Sequence, residues 1–122
     1  MTQEEYIKFH EAICEKARNL SLKKNQDYAA PNTRKNDPYA VFANFMQCER
    51  LNICSVNAGF LVRLSDKISR LANVTRDGHK RMVDDERVED TILDIINYSI
   101  LQLAYNQVFR NQEEPQRNEM RL

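Results

Sequence analysis

Two glycines and three prolines are all the strong chain breakers that these 122 residues carry. An all-β fold needs a turn every ~8–12 residues, and turns draw heavily on those two residue types. So sparse a supply points to helices. The length fits one domain, able to bury roughly two thirds of its unfolded surface. Hydrophobic residues at 42% and charged residues at 30% exclude a disordered composition. Eighteen basic residues balance eighteen acidic ones, so the electrostatic footprint of a general nucleic-acid binder is missing.

Cysteine usage and the termini bound the setting. Cys14, Cys48 and Cys54 form an odd set without a CxxC pair, and His10 and His79 stand alone. Neither a zinc spacing nor a disulfide framework follows, and free thiols in a reducing compartment are expected. The opening MTQEEYIKFHEAIC has acids and no apolar run of the signal-peptide kind. Nothing approaches the ~20 apolar residues of a membrane span. A cytoplasmic protein without a membrane partner is the expectation.

Periodicity predicts four helices in one bundle. Thr2 and Glu5 have capping-box spacing, and Tyr6, Phe9, Ile13, Ala17 and Leu20 follow as one apolar stripe. Lys23 to Lys35, broken by Pro31, reads as a loop. Asp37-Pro38 restarts a helix whose buried side is Phe42, Phe45 and Met46. Ser55 caps a third helix carrying Val56, Phe60, Leu61, Leu64, Ile68 and Leu71, which stops before Gly78. Asp84 or Asp85 opens the longest helix, with Val88, Ile92, Ile95, Ile96, Ile100, Leu103 and Phe109 as its buried stripe. Residues 1–110 are expected to form a single helical domain. From Asn111 to residue 122 the apolar period is lost, and a frayed tail is expected.

The chemistry lies in charges on the last two helices. At about 100° per residue, Arg63, Asp66, Lys67 and Arg70 share one side of the third helix. Asp66–Arg70 can be a plain i,i+4 ion pair, so this face alone is compatible with solvent. The fourth helix is less ordinary. Glu86, Asp90, Asp94 and Asn97 fall within about 80° of one another, opposite the isoleucines. Stacked carboxylates repel unless a cation sits among them. The same line continues as Leu101, Ala104 and Val108, which implies that protein covers part of it. Lys67 and the arginines, or a divalent metal, can supply the countercharge. Mg²⁺ suits a few carboxylates combined with water and substrate phosphate. A structural salt-bridge network remains the competing reading. Lys24 to Tyr28 and Asn44-Phe45 offer amides, an acid and rings that can stack on a base or read its edge.

Taken in order, Lys24-x-x-Asp27-Tyr28, Asn44-Phe45, Arg63-x-x-Asp66-Lys67-x-x-Arg70-Leu71 and Asp85-Glu86-x-x-x-Asp90-Thr91-x-x-Asp94-x-x-Asn97-Tyr98 resemble a known family. It is the nucleotide modification associated domain 1 family of bacteriophages and bacteria, and the likeness runs from about Lys24 to Leu103. That family is similar in turn to the all-α pyrophosphatases of the MazG and dimeric dUTPase type. Those enzymes hold Mg²⁺ between an ExxE helix and a later ExxD helix, and cleave nucleoside triphosphates to monophosphate and pyrophosphate. The resemblance implies a MazG-like four-helix bundle completed by homo-oligomerisation. It also implies Mg²⁺ on Asp66, Glu86, Asp90 and Asp94, with Lys67 beside them as a further catalytic residue. Substrate contacts would come from Lys24, Asp27, Tyr28, Asn44, Arg63, Arg70 and Asn97. Arg63 stands where the first acid of ExxE would be, and Thr91 where the glutamate of ExxD would be.

Three functions follow as expectations. The first is a Mg²⁺-dependent pyrophosphohydrolase acting on a (deoxy)nucleoside triphosphate in phage nucleotide metabolism. The second is a nucleotide-binding protein without turnover that sequesters a host signalling nucleotide, a reading favoured by a cation at position 63. The third is a helical adaptor whose charges are all ion pairs.

Overall fold

A computed structural model describes residues 1–28, 37–76 and 86–120. Helix α1 spans Gln3–Tyr28, α2 Ala43–Arg50, α3 Val56–Arg76 and α4 Glu86–Met120, with a 3-10 turn at Ala40–Phe42 leading into α2. All regular structure among the described residues is helical, so the chain is all-α there. None of these helices is long and apolar enough to cross a membrane. The expected break at Pro31, the turn at Gly78 and the caps at Asp84 and Asp85 lie outside the described residues.

The helix starts follow from their first residues. Glu5 N–H donates to Thr2 Oγ1 at 3.1 Å, and Thr2 N–H donates to Glu5 Oε2 at 2.8 Å, the reciprocal pair of a capping box. Ser55 Oγ accepts from Ala58 N–H at 3.1 Å and caps α3. Asp37 accepts from Tyr39 N–H at 2.9 Å, which opens a 3-10 turn before α2 begins. The end of α2 is a Schellman turn. Ile53 N–H reaches back to Cys48 O and Asn52 N–H to Glu49 O, with Asn52 at φ 59°. Asparagine tolerates that left-handed backbone better than most residues. The loop expected from Lys23 onward begins later, because α1 continues to Tyr28. Lys23 to Tyr28 contains no glycine, proline or β-branched residue, so nothing in it opposes another turn of helix.

The core sits where α2, α3 and α4 meet. Phe42, Phe45, Val56, Phe60 and Tyr105 are buried together, flanked by Tyr39, Met46, Tyr98, Leu101, Ala104 and Val108. Phe45 and Phe60 stack at 4.3 Å between ring centroids, and Tyr98 meets Phe45 edge-on at 5.7 Å. Tyr105 reaches Phe42 edge-on at 5.6 Å. Such aromatic contacts add about 0.5–1.5 kcal/mol per pair to the area they bury. Helix α1 packs against α4 as well. Ala17 is buried there, and Asn97 Nδ2 donates to its carbonyl at 3.0 Å.

The buried face of α4 is not its isoleucine stripe. Ile92, Ile100, Leu103 and Phe109 are exposed, Leu103 at 74%, while Ile95 and Ile96 are half-buried. The line that starts with the acids and continues as Leu101, Ala104 and Val108 is the one that packs. Tyr98 and Tyr105 explain the choice, because their rings interlock with three phenylalanines of α2, α3 and the preceding turn. A helix apolar on two sides cannot hide both behind the single layer that α2 and α3 provide. On α3, Phe60 is fully buried while Leu61 and Ile68 are exposed.

Phe60→Ala is expected to lower unfolding free energy by about 3–5 kcal/mol, because it empties the ring stack. Ile68→Ala should stay within about 0.5 kcal/mol despite belonging to the same periodic stripe. Urea denaturation of both variants checks the pair.

Candidate functional site

Asp94 is the pivot of the charged region. It belongs to α4, and its side chain is only 14% exposed, directly above the aromatic core. Lys67 Nζ of α3 lies 2.9 Å from Oδ2, and Lys24 Nζ of α1 lies 2.7 Å from Oδ1. Burial pushes the Asp94 carboxyl up, yet the two lysine hydrogen bonds and their charges outweigh burial and leave it below the ordinary carboxylate value. Lys67 is itself 15% exposed and stands 5.9 Å from the Tyr98 ring centroid. One turn earlier, the Arg63 guanidinium lies 4.8 Å above the Phe45 ring. The basic side of α3 thus rests on the rim of the core instead of pointing away from it. Farther out, Lys16 pairs with Glu89 at 2.7 Å, both about half exposed, an arrangement of little energetic weight.

Next to Asp94 a cleft of about 520 Å³ opens between α3 and α4. Arg70 and Asn73 line it from α3, and Arg87, Asp90, Thr91 and Asp94 from α4, with Leu71, Val74 and Val88 as its apolar part. That volume is within the range of small-molecule sites. Thr91 is buried, and its hydroxyl donates to Arg87 O at 2.7 Å. Two arginines and the lysines behind Asp94 outnumber Asp90 and Asp94, so the neighbourhood carries excess positive charge.

The expected site residues divide into groups. Arg70, Asp90 and Asp94 line the cleft, and Lys67 and Lys24 join them through Asp94. Arg63 sits on Phe45, away from the lining. Asp66 is exposed outside it, Glu86 is exposed at the first turn of α4, and Asn44 is exposed on α2. Asn97 is buried against Ala17 and engaged with its carbonyl. The side chains of Asp27 and Tyr28 lie outside the described residues. Among the described residues, no three of His, Cys, Asp and Glu come together as metal ligands. With both Asp94 oxygens held by lysines, the acids as they stand do not fit a resident Mg²⁺ centre. Arg87 and Asn73 were not foreseen. Arg87 did leave a signal, since Arg87, Thr91 and Asp94 recur at helical spacing on one side of α4.

The cleft falls within a stretch that has a counterpart among known families. Residues 58–104 match the family model of nucleotide modification associated domain 1. The match takes in most of α3 and the first half of α4, and therefore every lining residue of the cleft. Lys24, the α1 partner of Asp94, comes from outside it. Comparison with curated proteins and with solved structures gives no match.

Asp94 sets an acid limit on stability. Its folded-state affinity for a proton is lowered, so its contribution is complete above the unfolded carboxyl value of about 3.9 and is lost as pH falls below it. Asp94→Asn should lose this part of the acid transition. At neutral pH it should also lower stability by about 1–3 kcal/mol, because Lys67 keeps its shielded position without a carboxylate. Denaturant midpoints measured from pH 7 to pH 3 test both effects.

Proposed function

We propose that the protein binds a nucleoside phosphate in the α3–α4 cleft. The observation that supports this most is the composition of the cleft wall, with Arg70 and Arg87 on facing helices beside a hydroxyl, an amide and a short apolar strip. Guanidinium groups present planar pairs of donors that match phosphate oxygens. Leu71, Val74 and Val88 offer a surface against which a base or sugar can lie. The nucleotide-associated domain matched by residues 58–104 supports the same ligand class. Asp94 fits this reading as a countercharge that keeps two lysines folded inward behind the phosphates.

A second reading, hydrolysis of a (deoxy)nucleoside triphosphate to monophosphate and pyrophosphate, is favoured by Asp90 and Asp94. They stand one helical turn apart on the cleft wall. Mg²⁺ would enter that reaction as the nucleotide's own counterion, since it usually binds one or two carboxylates together with substrate phosphates. The setting proposed for either reading is the cytoplasm, in phage nucleotide metabolism.

Calorimetry and thermal shift across a nucleotide panel, with and without Mg²⁺, separate the readings. Binding should add about 2.7 kcal/mol of stability at a hundred times the dissociation constant. Arg70→Ala should weaken it by about 1.5–3 kcal/mol, the value of a charge-assisted hydrogen bond. Recovery of intact nucleotide supports binding alone, and release of pyrophosphate supports turnover. No stabilisation by any nucleotide would leave the adaptor reading.

The same proposal includes a second copy of the chain. Ile100 and Leu103 on α4, with Tyr6, Ile7 and Phe9 on α1, are all more than half exposed. They are exposed apolar side chains of the kind that oligomer contacts use. Light scattering should give at least twice the chain mass, and Leu103→Lys combined with Ile100→Glu should reduce it to one chain.

A further inference from the structure

Two of the three cysteines are brought together by the turn between α2 and α3. Cys48 lies in the last full turn of α2, and its carbonyl accepts from Ile53 N–H at 2.9 Å and from Cys54 N–H at 3.4 Å. The left-handed backbone of Asn52 reverses the chain and carries Cys54 back over the end of the helix. The Cys48 thiol donates to Phe45 O at 3.2 Å and lies 3.7 Å from Ser55 O. The neighbouring Cys48 thiol, followed by burial, raises the Cys54 thiol above its ordinary value. Gly59 makes room for this arrangement, since a Cβ there would stand 2.7 Å from Cys48 Sγ. Both cysteines are free and partly accessible, whereas Cys14 is far away in sequence on the exposed part of α1.

We propose that Cys48 and Cys54 form a reversible dithiol–disulfide site that staples the end of α2 to the start of α3. With glutathione disulfide as oxidant, one cysteine thiolate attacks a glutathione sulfur and expels one glutathione thiolate. The second cysteine then attacks the protein sulfur of the mixed disulfide and expels the other. One sulfur–sulfur bond breaks in the oxidant and one forms in the protein, with two electrons passing to two glutathione molecules. The bond would take the Cys48 sulfur from the Phe45 carbonyl and fix the corner under the Phe45–Phe60 ring stack.

Trypsin cuts after Arg50, between the two cysteines, and so leaves them on separate peptides, 36–50 and 51–63. Folded Cys14→Ser protein equilibrated with glutathione disulfide, acid-quenched, alkylated and digested should give these peptides joined. Dithiothreitol should separate them, and neither Cys48→Ser nor Cys54→Ser should yield the joined species. The native turn should form the bond at an oxidant-to-thiol ratio about tenfold lower than the urea-unfolded chain needs. Equal ratios for folded and unfolded protein would overturn the proposal. So would full alkylation, or stable glutathione adducts, at both cysteines of the folded chain.

Discussion

Asp94 lies between Lys24 and Lys67, and this one interaction joins α1, α3 and α4. A carboxylate with most of its side chain out of water is costly unless charge and hydrogen bonds are returned to it. Here each oxygen has its own ammonium group, so Asp94 stays ionised over the aromatic core. The dependence runs both ways. Lys67 has little more exposure than Asp94, and without the carboxylate it would be a shielded cation beside the Tyr98 ring. The clamp decides which side of α4 can face α3, and hence that Asp90, Thr91 and Arg87 border a cleft.

The core below imposes a second constraint. Phe42, Phe45, Val56, Phe60 and Tyr105 form the buried cluster where α2, α3 and α4 meet, with Tyr98 packed against it. Because those rings fix the rotation of α4, the isoleucine side is turned outward. The outcome is a helix with an apolar-and-acid inner line and an apolar outer line. The outer line has no partner in the chain's own described fold, which is the physical basis for proposing a second copy.

Much of this was legible in the sequence. Thr2 with Glu5 and Ser55 act at short range, and their hydrogen bonds form as the spacing predicts. The inward course of the acidic line could be inferred from Leu101, Ala104 and Val108, which extend it and are apolar. The isoleucine stripe misled because hydrophobic period identifies faces without ranking them. Two faces of α4 qualified, and ring shape decided between them. Lys24 was legible as a basic side chain near a site, but not as the partner of Asp94. Its role depends on α1 continuing past Lys23 and on where α1 crosses α4, and neither is encoded locally. Lys67 was legible as a countercharge to the acids, but its place on Asp94 itself was not, for a similar reason. Spacing on one helix says which acids share a face, while the countercharge comes from two other helices.

The most direct measurement is a carboxyl-carbon NMR titration of Asp94 in the folded protein. If two lysines hold the group as described, it titrates below the ordinary value of about 3.9, and Lys67→Met moves it upward. A wild-type midpoint at or above that value, unmoved by the substitution, would contradict the clamp and the arrangement of α1, α3 and α4 around it.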